Sequence, residues 1–236
     1  MARPVKKTPE EWRKEILNAA QNLFISKGYE ETSISDIMNM AGGAKGMFYR
    51  CFQSKEELMY ALGNQMFFED NPFEAVRGRD DLNGLQKIRL LLTLNQSDAK
   101  RNKINMQAVP ILKDTHILAA AVGENRRVLT PLWLELLEEG KQDGSIKTEY
   151  TKELSELLPL INFWLMPSVF PATEEELLHK YLFVIEMLDH MGLPLYDDDT
   201  MSFAEKFITD ITETPCGHTF MSEKSDNNDV KGGNQP

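Results

Sequence analysis

Signals that start and stop helices follow one another at short intervals in the first sixty residues. A Ser or Thr followed three positions later by an acidic residue satisfies the free amides at a helix N-terminus, a pattern called the capping box. It occurs at Thr8–Glu11, Ser33–Asp36 and Ser54–Glu57, and Gly28 and Gly42 stand where the intervening helices should end. This spacing allows only short helices joined by tight turns, and it predicts four helices within this segment.

Apolar residues recur at helical spacing within the predicted helices and define a common buried face. They are Ile16, Leu17, Ala20, Leu23 and Phe24, followed by Ile34, Ile37, Ala41, Phe48 and Phe52. The residues left pointing outward are Lys45, Gly46, Met47, Tyr49 and Arg50. A short helix, a glycine turn and a second short helix form the helix-turn-helix arrangement, whose second helix enters the DNA major groove. These outward residues include two cations, a phenol and a glycine that lets the backbone approach the DNA closely, and such groups suit contacts with bases and phosphates.

The charge of the chain is distributed unevenly. Its net charge of −11 argues against a nucleic-acid partner, because attraction to phosphate needs local positive charge. Residues 1–60, however, carry nine Lys and Arg against eight Asp and Glu, whereas the remainder carries 17 against 29. Parts of one chain that differ in charge are expected to face different partners. Only the N-terminal part is therefore compatible with binding to DNA.

The segment from Thr32 to Leu58 resembles the signature of the TetR family of transcriptional regulators. It reads TSISDI at residues 32–37 and AGGAKGMFYRCFQSKEEL at residues 41–58. Ala20, Leu23 and Phe24, followed by Lys-Gly-Tyr at residues 27–29, match the first helix of that family. The resemblance covers about the first quarter of the chain closely. It implies an all-α fold in which a helical domain that dimerises and often binds a small molecule follows the DNA-binding domain.

The resemblance also implies roles for single residues. Lys45, Gly46 and Tyr49 would contact bases or the groove, Tyr49 and Lys55 would touch phosphate, and Thr32 or Ser33 would contact the DNA backbone. With the remaining outward residues, the predicted DNA-binding site comprises Thr32, Ser33, Lys45, Gly46, Met47, Tyr49, Arg50 and Lys55.

Three residues depart from the family pattern. Gly43 stands where a branched apolar residue is usual, which predicts a looser turn. Ala44 replaces the usual serine and cannot cap the recognition helix, a loss of about 1 kcal/mol at typical values. Cys51 occupies a position where an aromatic residue or histidine often supports a phosphate contact, so no such contact is expected here.

The rest of the chain keeps a helical pattern without sustained alternation of β-branched residues, so strands are not expected. Helices are predicted at about 81–96, 101–120, 124–140, 150–166, 173–191 and 200–211. The predicted domains are a helix-turn-helix domain at 1–53, a helical effector and dimerisation domain at 54–212 and a disordered tail at 213–236. The longest apolar stretch, Leu157 to Phe170, is too short to span a bilayer and is interpreted as a buried helix. Two distant cysteines and a start without a secretory pattern favour the cytoplasm.

Residues 150–166 and 173–191 are apolar on more than one face and are expected to be buried on several sides. Two such helices from each of two subunits fit a four-helix dimer interface, as the resemblance also implies. The alternative is that both helices close the core of a monomer. A twofold dimer would require a palindromic operator in double-stranded DNA.

Aromatic residues and methionines in the middle of the chain suit an adaptable apolar cavity, although any helical core contains the same residue types. The candidate pocket residues are Phe67, Met106, His116, Trp133, Phe163 and Trp164, with Phe68, Leu112, Leu137 and Met166 as further possibilities. They predict a lipophilic or aromatic effector.

These patterns favour a dimeric repressor that a small molecule releases from its operator. An architectural or division-linked DNA-binding protein without an effector is the alternative. An enzyme is a distant third: the four histidines show no metal-ligand spacing, and neither a phosphate loop nor a nucleophile elbow occurs. No cofactor or metal is therefore expected.

Overall fold

The computed structural model describes residues 7–197 together with Met201 and Thr209, and helices are its only regular elements within that range. The first seven helices are α1 (Pro9–Ser26), α2 (Ile34–Ala41), α3 (Lys45–Cys51), α4 (Lys55–Glu69), α5 (Pro72–Arg77), α6 (Gly84–Ser97) and α7 (Ala99–Ala108). They are followed by α8 (Thr115–Glu124), α9 (Thr130–Asp143), α10 (Thr151–Leu165) and α11 (Glu174–His190). The all-α prediction is confirmed.

Two of the predicted helix spans need comment. The helix expected at 101–120 is interrupted by a 3-10 turn at Val109–Lys113, which contains Pro110 and separates α7 from α8. Pro110 has no amide hydrogen to continue the α-helical bonding. Of the helix expected at 200–211, only Met201 and Thr209 lie among the described residues, and the predicted tail at 213–236 lies outside them.

The chain divides into two compact units. The first unit combines the described part of residues 1–71 with residues 98–111, and the second combines residues 72–97 with the described part of the remainder. The boundary predicted at residue 53 differs from this division, because α4 and the later α7 both pack with α1. The helix-turn-helix segment is thus part of a five-helix unit.

The core of the first unit is made by the predicted apolar faces. The buried residues include Ile16, Leu17, Ala20, Phe24, Ile37, Met38, Ala41, Phe48, Phe52, Leu58, Leu62 and Ile104. The prediction holds for this segment except at Leu23 and Ile34, which are half-buried. Ile104 of α7 is fully buried, so a residue far along the chain completes this core.

Local capping follows the predicted pattern closely. Thr8 and Ser33 form complete capping boxes with Glu11 and Asp36. The Ser54 hydroxyl accepts the Glu57 amide hydrogen, whereas the Glu57 carboxylate accepts from the Gln53 amide rather than from the N-cap amide. Side-chain capping thus fixes where α1, α2 and α4 begin.

Gly43 does not loosen the turn between α2 and α3, contrary to the sequence-based expectation. Its amide donates to the Met38 carbonyl at 2.9 Å. A Cβ atom at this position would lie 2.6 Å from Trp12 Cζ3 and 2.7 Å from Met38 Cε. The Trp12 ring therefore occupies the space that a branched side chain would fill, and the turn is packed.

The second unit contains α5, α6 and α8 to α11. Gly84 and Gly140 allow α6 to begin close to α9, since a Cβ on Gly84 would lie 2.4 Å from Gly140 Cα. Pro159 lies inside α10, which continues to Leu165. No helix in the described part of the chain is long and apolar enough to cross a membrane.

Candidate nucleic-acid interface

Helix α3 presents most of its predicted DNA-contacting residues to solvent. Lys45, Gly46, Tyr49 and Arg50 are exposed, and Met47 is half-buried. Tyr49 has 54% of its surface exposed, a large fraction for an aromatic side chain. Nothing lies within 4 Å of a Cβ atom built on Gly46, so packing does not require a glycine at this position. The structure therefore gathers five of the predicted residues on one short helix.

Helix α3 has only seven residues and is held by contacts with α1. Ala44 makes no side-chain cap, as predicted. Phe48 is fully buried, and its ring lies 5.8 Å from the Phe52 ring. At the opposite end, Arg13 donates to the Cys51 carbonyl at 3.0 Å and stacks over the Phe52 ring at 4.3 Å. A helix this short gains its stability from such tertiary contacts rather than from its own propensity.

Arg13 was missed by the sequence reasoning. It lies 38 residues before its carbonyl partner, so no local spacing links the two. Its guanidinium bonds one of the last carbonyls of α3, which have no partner within the helix.

The residues before α2 have different roles. Ser33 is exposed and caps α2, so it lies at the surface, where the predicted contact with the DNA backbone stays a prediction. Thr32, in contrast, is buried, with 1% of its surface exposed, and its hydroxyl donates to the Gly28 carbonyl at 2.6 Å. The Thr32 hydroxyl is therefore used inside the unit, and this geometry does not favour the predicted contact of the Thr32 side chain with the DNA backbone.

Asp36 is the acidic member of the α2 capping box. Its carboxylate accepts from Lys27 at 2.8 Å and from the Ser33 amide at 2.9 Å. These bonds, the one from Lys27 first, lower the pKa of Asp36 to about 2. The box is therefore ionised and intact at neutral pH.

Lys55 has partners within the first unit, which the motif did not indicate. Its ammonium donates to the Tyr29 carbonyl at 2.9 Å and to the Thr32 carbonyl at 3.2 Å. It also lies 4.0 Å from the centre of the Tyr29 ring. Two of its three donors are therefore directed into the protein, in conflict with the predicted role of Lys55 as a phosphate contact.

Three side chains of α7 bond to the ends of other helices in the same unit. Gln107 accepts from the Tyr29 amide at 2.7 Å and donates to the Phe24 carbonyl at 3.3 Å. Lys103 donates to the Ile25 carbonyl at 2.7 Å, and Arg101 donates to the Met66 carbonyl at 3.3 Å. Nothing in the sequence indicated these contacts, because partners lie up to 83 residues apart.

The predicted pocket residues are divided between the two units. Phe67 and Met106 are half-buried in the first unit, and His116 is exposed at the start of α8 in the second. Trp133 is buried against the ring of Phe73, with the two centroids 5.5 Å apart, which gives it a core role. Phe163 and Trp164 are half-buried on α10.

An open depression in the second unit has a different lining from the predicted pocket. It is lined by Asp80, Asp81, Leu82, Asn83, Gln86, Glu139, Gln142 and Asp143. This lining is acidic and includes none of the six predicted pocket residues. Within the described residues, no group of three His, Cys, Asp or Glu side chains could hold a metal ion.

Helices α10 and α11 carry large apolar side chains that remain exposed in the single chain. They are Leu157, Leu160, Leu178, Leu182 and Phe183, each between 37% and 57% exposed. Phe183 meets Trp164 of α10, with ring centroids 5.9 Å apart, so the two helices share one apolar surface. We call these five residues and Trp164 the α10–α11 face.

Residues 16–62 match the family model described as bacterial regulatory proteins, tetR family. A probable HTH-type transcriptional regulator of Pseudomonas putida, ArpR, is 33% identical over 110 residues, which cover 44% of this chain and 52% of ArpR. The HTH-type transcriptional repressor KstR2 of Rhodococcus jostii is 29% identical over 149 residues, which cover 61% of this chain and 72% of KstR2. The chain thus spans about half the length of ArpR.

Solved structures share the fold. The Thermus thermophilus TetR-family repressor FadR, in complex with lauroyl-CoA, matches with a TM-score of 0.54 and 20% identity, over 75% of this chain and 92% of FadR. RolR in complex with resorcinol matches with a TM-score of 0.52 and 18% identity, over 88% of this chain and 95% of RolR.

The buried position of Thr32 leads to a stability prediction. Thr32→Val keeps the side-chain shape but leaves the Gly28 carbonyl without its hydroxyl donor, and we expect a decrease of about 1 to 3 kcal/mol in the free energy of unfolding. Urea denaturation measures the change. Ser35→Ala, at an exposed position on the helix that follows, should change stability by less than about 0.5 kcal/mol. Unchanged stability combined with weaker DNA binding would instead place the Thr32 hydroxyl at the interface.

Proposed function

We propose that this chain, whose residues 16–62 match the tetR family of bacterial regulatory proteins, is a dimeric repressor released from a palindromic operator by a small apolar molecule. The observation that carries the proposal is the exposure of Lys45, Tyr49 and Arg50 on one short helix, α3. That helix is fixed to α1 by the buried ring of Phe48 and by the guanidinium of Arg13.

In the proposed complex, α3 lies in the major groove of the operator. The ammonium of Lys45 and the guanidinium of Arg50 reach guanine edges or phosphate oxygens, and the Tyr49 phenol reaches a phosphate. Gly46 allows the backbone to approach the DNA closely, and Ser33 contacts the DNA backbone at the start of α2. Thr32 and Lys55 are left out of this contact set because their donors bond to carbonyls of the same unit.

The modest charge of the DNA-binding segment limits how affinity can arise. Residues 1–60 contain nine Lys and Arg and eight Asp and Glu, so their net charge is too small to attract DNA strongly. A few well-placed cations on each of two subunits must supply most of the phosphate attraction. Removing one of them should therefore have a measurable effect on the salt dependence of binding.

This expectation gives a test of the proposed contacts. Selection of bound duplexes from a random DNA pool should enrich a palindromic sequence, and that duplex serves as the probe. With Lys45→Met or Arg50→Met, the dissociation constant should rise, and the slope of log affinity against log salt should fall by about 0.9 for each phosphate that the variant no longer neutralises. Lys147→Met, a charge change at an exposed position in the second unit, should leave the slope unchanged.

Two results of this experiment would contradict the proposal. Failure to enrich any sequence at moderate salt would remove DNA recognition as the function. An enriched sequence without twofold symmetry would leave the DNA-binding role intact but overturn the dimeric arrangement.

The α10–α11 face supports a homodimer. Several exposed apolar side chains on two helices that pack together are typical of a protein interaction site. Pairing this face with its counterpart by a twofold axis would give the four-helix interface expected for residues 150–191.

Dimer formation can be tested at Phe183, which is 57% exposed. Phe183→Glu would bury a charge in the proposed interface, and we expect the dissociation constant of the dimer to rise about 100-fold, as for removal of a central aromatic anchor. Sedimentation velocity across a concentration series measures the change. Phe68→Glu is the matched control, because Phe68 is 54% exposed but lies in the first unit. If both variants sediment like the wild type, the α10–α11 face is not the interface.

The effector is proposed as a small lipophilic or aromatic molecule. FadR and RolR share the fold and were solved with lauroyl-CoA and resorcinol, which gives two chemical classes to test. Ligand at 100 times its dissociation constant should stabilise the protein by about 2.7 kcal/mol and raise its melting temperature. Thermal unfolding with fatty acids, acyl-CoA esters and phenols is the measurement. No shift across this panel would favour a DNA-binding protein that works without an effector.

A further inference from the structure

We propose that Lys55 and Gln107 are positioning residues for DNA binding, which hold the loop at residues 28–32 from two sides. Lys55 acts through this loop instead of contacting DNA phosphate. The proposal rests on the proposed function, since it concerns how the helix-turn-helix segment is set for DNA. We call residues 28–32 the entry loop, because it leads from α1 into α2.

Lys55 holds the entry loop from the side of α4. Its ammonium bonds the carbonyls of Tyr29 and Thr32, at 2.9 and 3.2 Å, and so links two positions of the loop. The face of the Tyr29 ring, 4.0 Å from the ammonium, adds a cation–π contact. A DNA phosphate would have to compete with these partners for the same charge.

Gln107 holds the entry loop from the side of α7. Its carboxamide oxygen accepts the Tyr29 amide hydrogen at 2.7 Å, and its nitrogen donates to the Phe24 carbonyl at 3.3 Å. One side chain therefore joins the end of α1 to the loop that follows it. A hydrocarbon side chain in its place would leave the Tyr29 amide without this acceptor.

The entry loop is also closed by bonds of its own. The Thr32 amide donates to the Tyr29 carbonyl at 3.2 Å, and the Thr32 hydroxyl donates to the Gly28 carbonyl. Tyr29 is buried, which raises the pKa of its phenol, so the protonated hydroxyl donates to Glu56 at 3.2 Å. The loop is thus anchored on both α4 and α7 and is closed by its own hydrogen bonds.

This conformation matters for DNA because the loop ends at Ser33, the N-cap of α2. Helix α2 packs on α3, which carries Lys45, Tyr49 and Arg50. Releasing the loop would let the start of α2 move relative to α1 and α4. The wild-type anchors reduce the number of orientations of α3 before DNA binds, and preorganisation of this kind raises affinity without a contact to the ligand.

The test compares Lys55→Met and Gln107→Leu with Lys45→Met on the duplex obtained by selection. We expect each loop variant to bind about tenfold more weakly, as for removal of one hydrogen-bonded anchor. The slope of log affinity against log salt should stay at the wild-type value for both loop variants, whereas Lys45→Met should lower it by about 0.9. Gln107→Glu should retain part of the affinity, because its carboxylate still accepts from the Tyr29 amide.

A second control separates positioning from general stability. Thr8→Ala removes the N-cap of α1 in the same unit and should lower the melting temperature. Below that temperature it should bind the duplex as tightly as the wild type does. Weaker binding by Thr8→Ala, equal to that of the loop variants, would overturn the positioning role.

Amide hydrogen exchange of the DNA-free protein tests the anchors independently of DNA recognition. Exchange at Tyr29 and Thr32 should be faster by about tenfold in Lys55→Met and Gln107→Leu, and unchanged in Lys45→Met. Unchanged exchange in Lys55→Met and Gln107→Leu would overturn the proposal. Wild-type affinity of these two variants for the duplex would also overturn it, as would a lower slope of log affinity against log salt in Lys55→Met. A further outcome is that the wild type fails to enrich any DNA while exchange at Tyr29 and Thr32 is still faster in the loop variants. That result would contradict the proposed function but would support Lys55 and Gln107 as anchors of the loop.

Discussion

The first unit depends on side chains of α7 that bond the C-terminal ends of α1 and α4. The last carbonyls of a helix have no partner within it and carry partial negative charge. Lys103 and Gln107 bond such carbonyls of α1, and Arg101 bonds those at the end of α4. The cationic members also complement the helix dipoles. Together with the buried Ile104, these bonds make α7 as much a part of the DNA-binding unit as the helix-turn-helix itself.

The recognition helix is supported in the same way, from outside itself. Seven residues without a side-chain N-cap cannot hold a helix in water. Phe48 secures one face by burial, and Arg13 bonds the Cys51 carbonyl at the C-terminal end. Tyr49 and Arg50 on the exposed face contribute neither of these two contacts, so their side chains are available for the proposed binding to DNA.

Local features of this fold could be predicted from the sequence, whereas its long-range bonds could not. The caps at Thr8 and Ser33 depend on residues three positions apart and were confirmed. Thr32 and Lys55 occupy the expected places in the motif, but a motif does not say where a hydroxyl or an ammonium points. The roles of Arg13 and Gln107 depend on partners 38 to 83 residues away, which periodicity does not reveal. The pocket residues could not be predicted from residue type either, because an aromatic residue such as Trp133, buried against Phe73, also fits an ordinary core.

The first unit is assembled from two separate stretches of the chain, with residues 72–97 between them. A chimera that takes only residues 1–71 from this chain would lack Ile104 and the α7 side chains Arg101, Lys103 and Gln107, which bond to the ends of α1 and α4. A functional exchange between two such proteins must therefore move both stretches together, or choose a recipient whose own equivalent of α7 fits the new partners. Recombination at a single crossover point would break this unit, so its specificity is expected to change by point substitution on α3 more readily than by shuffling.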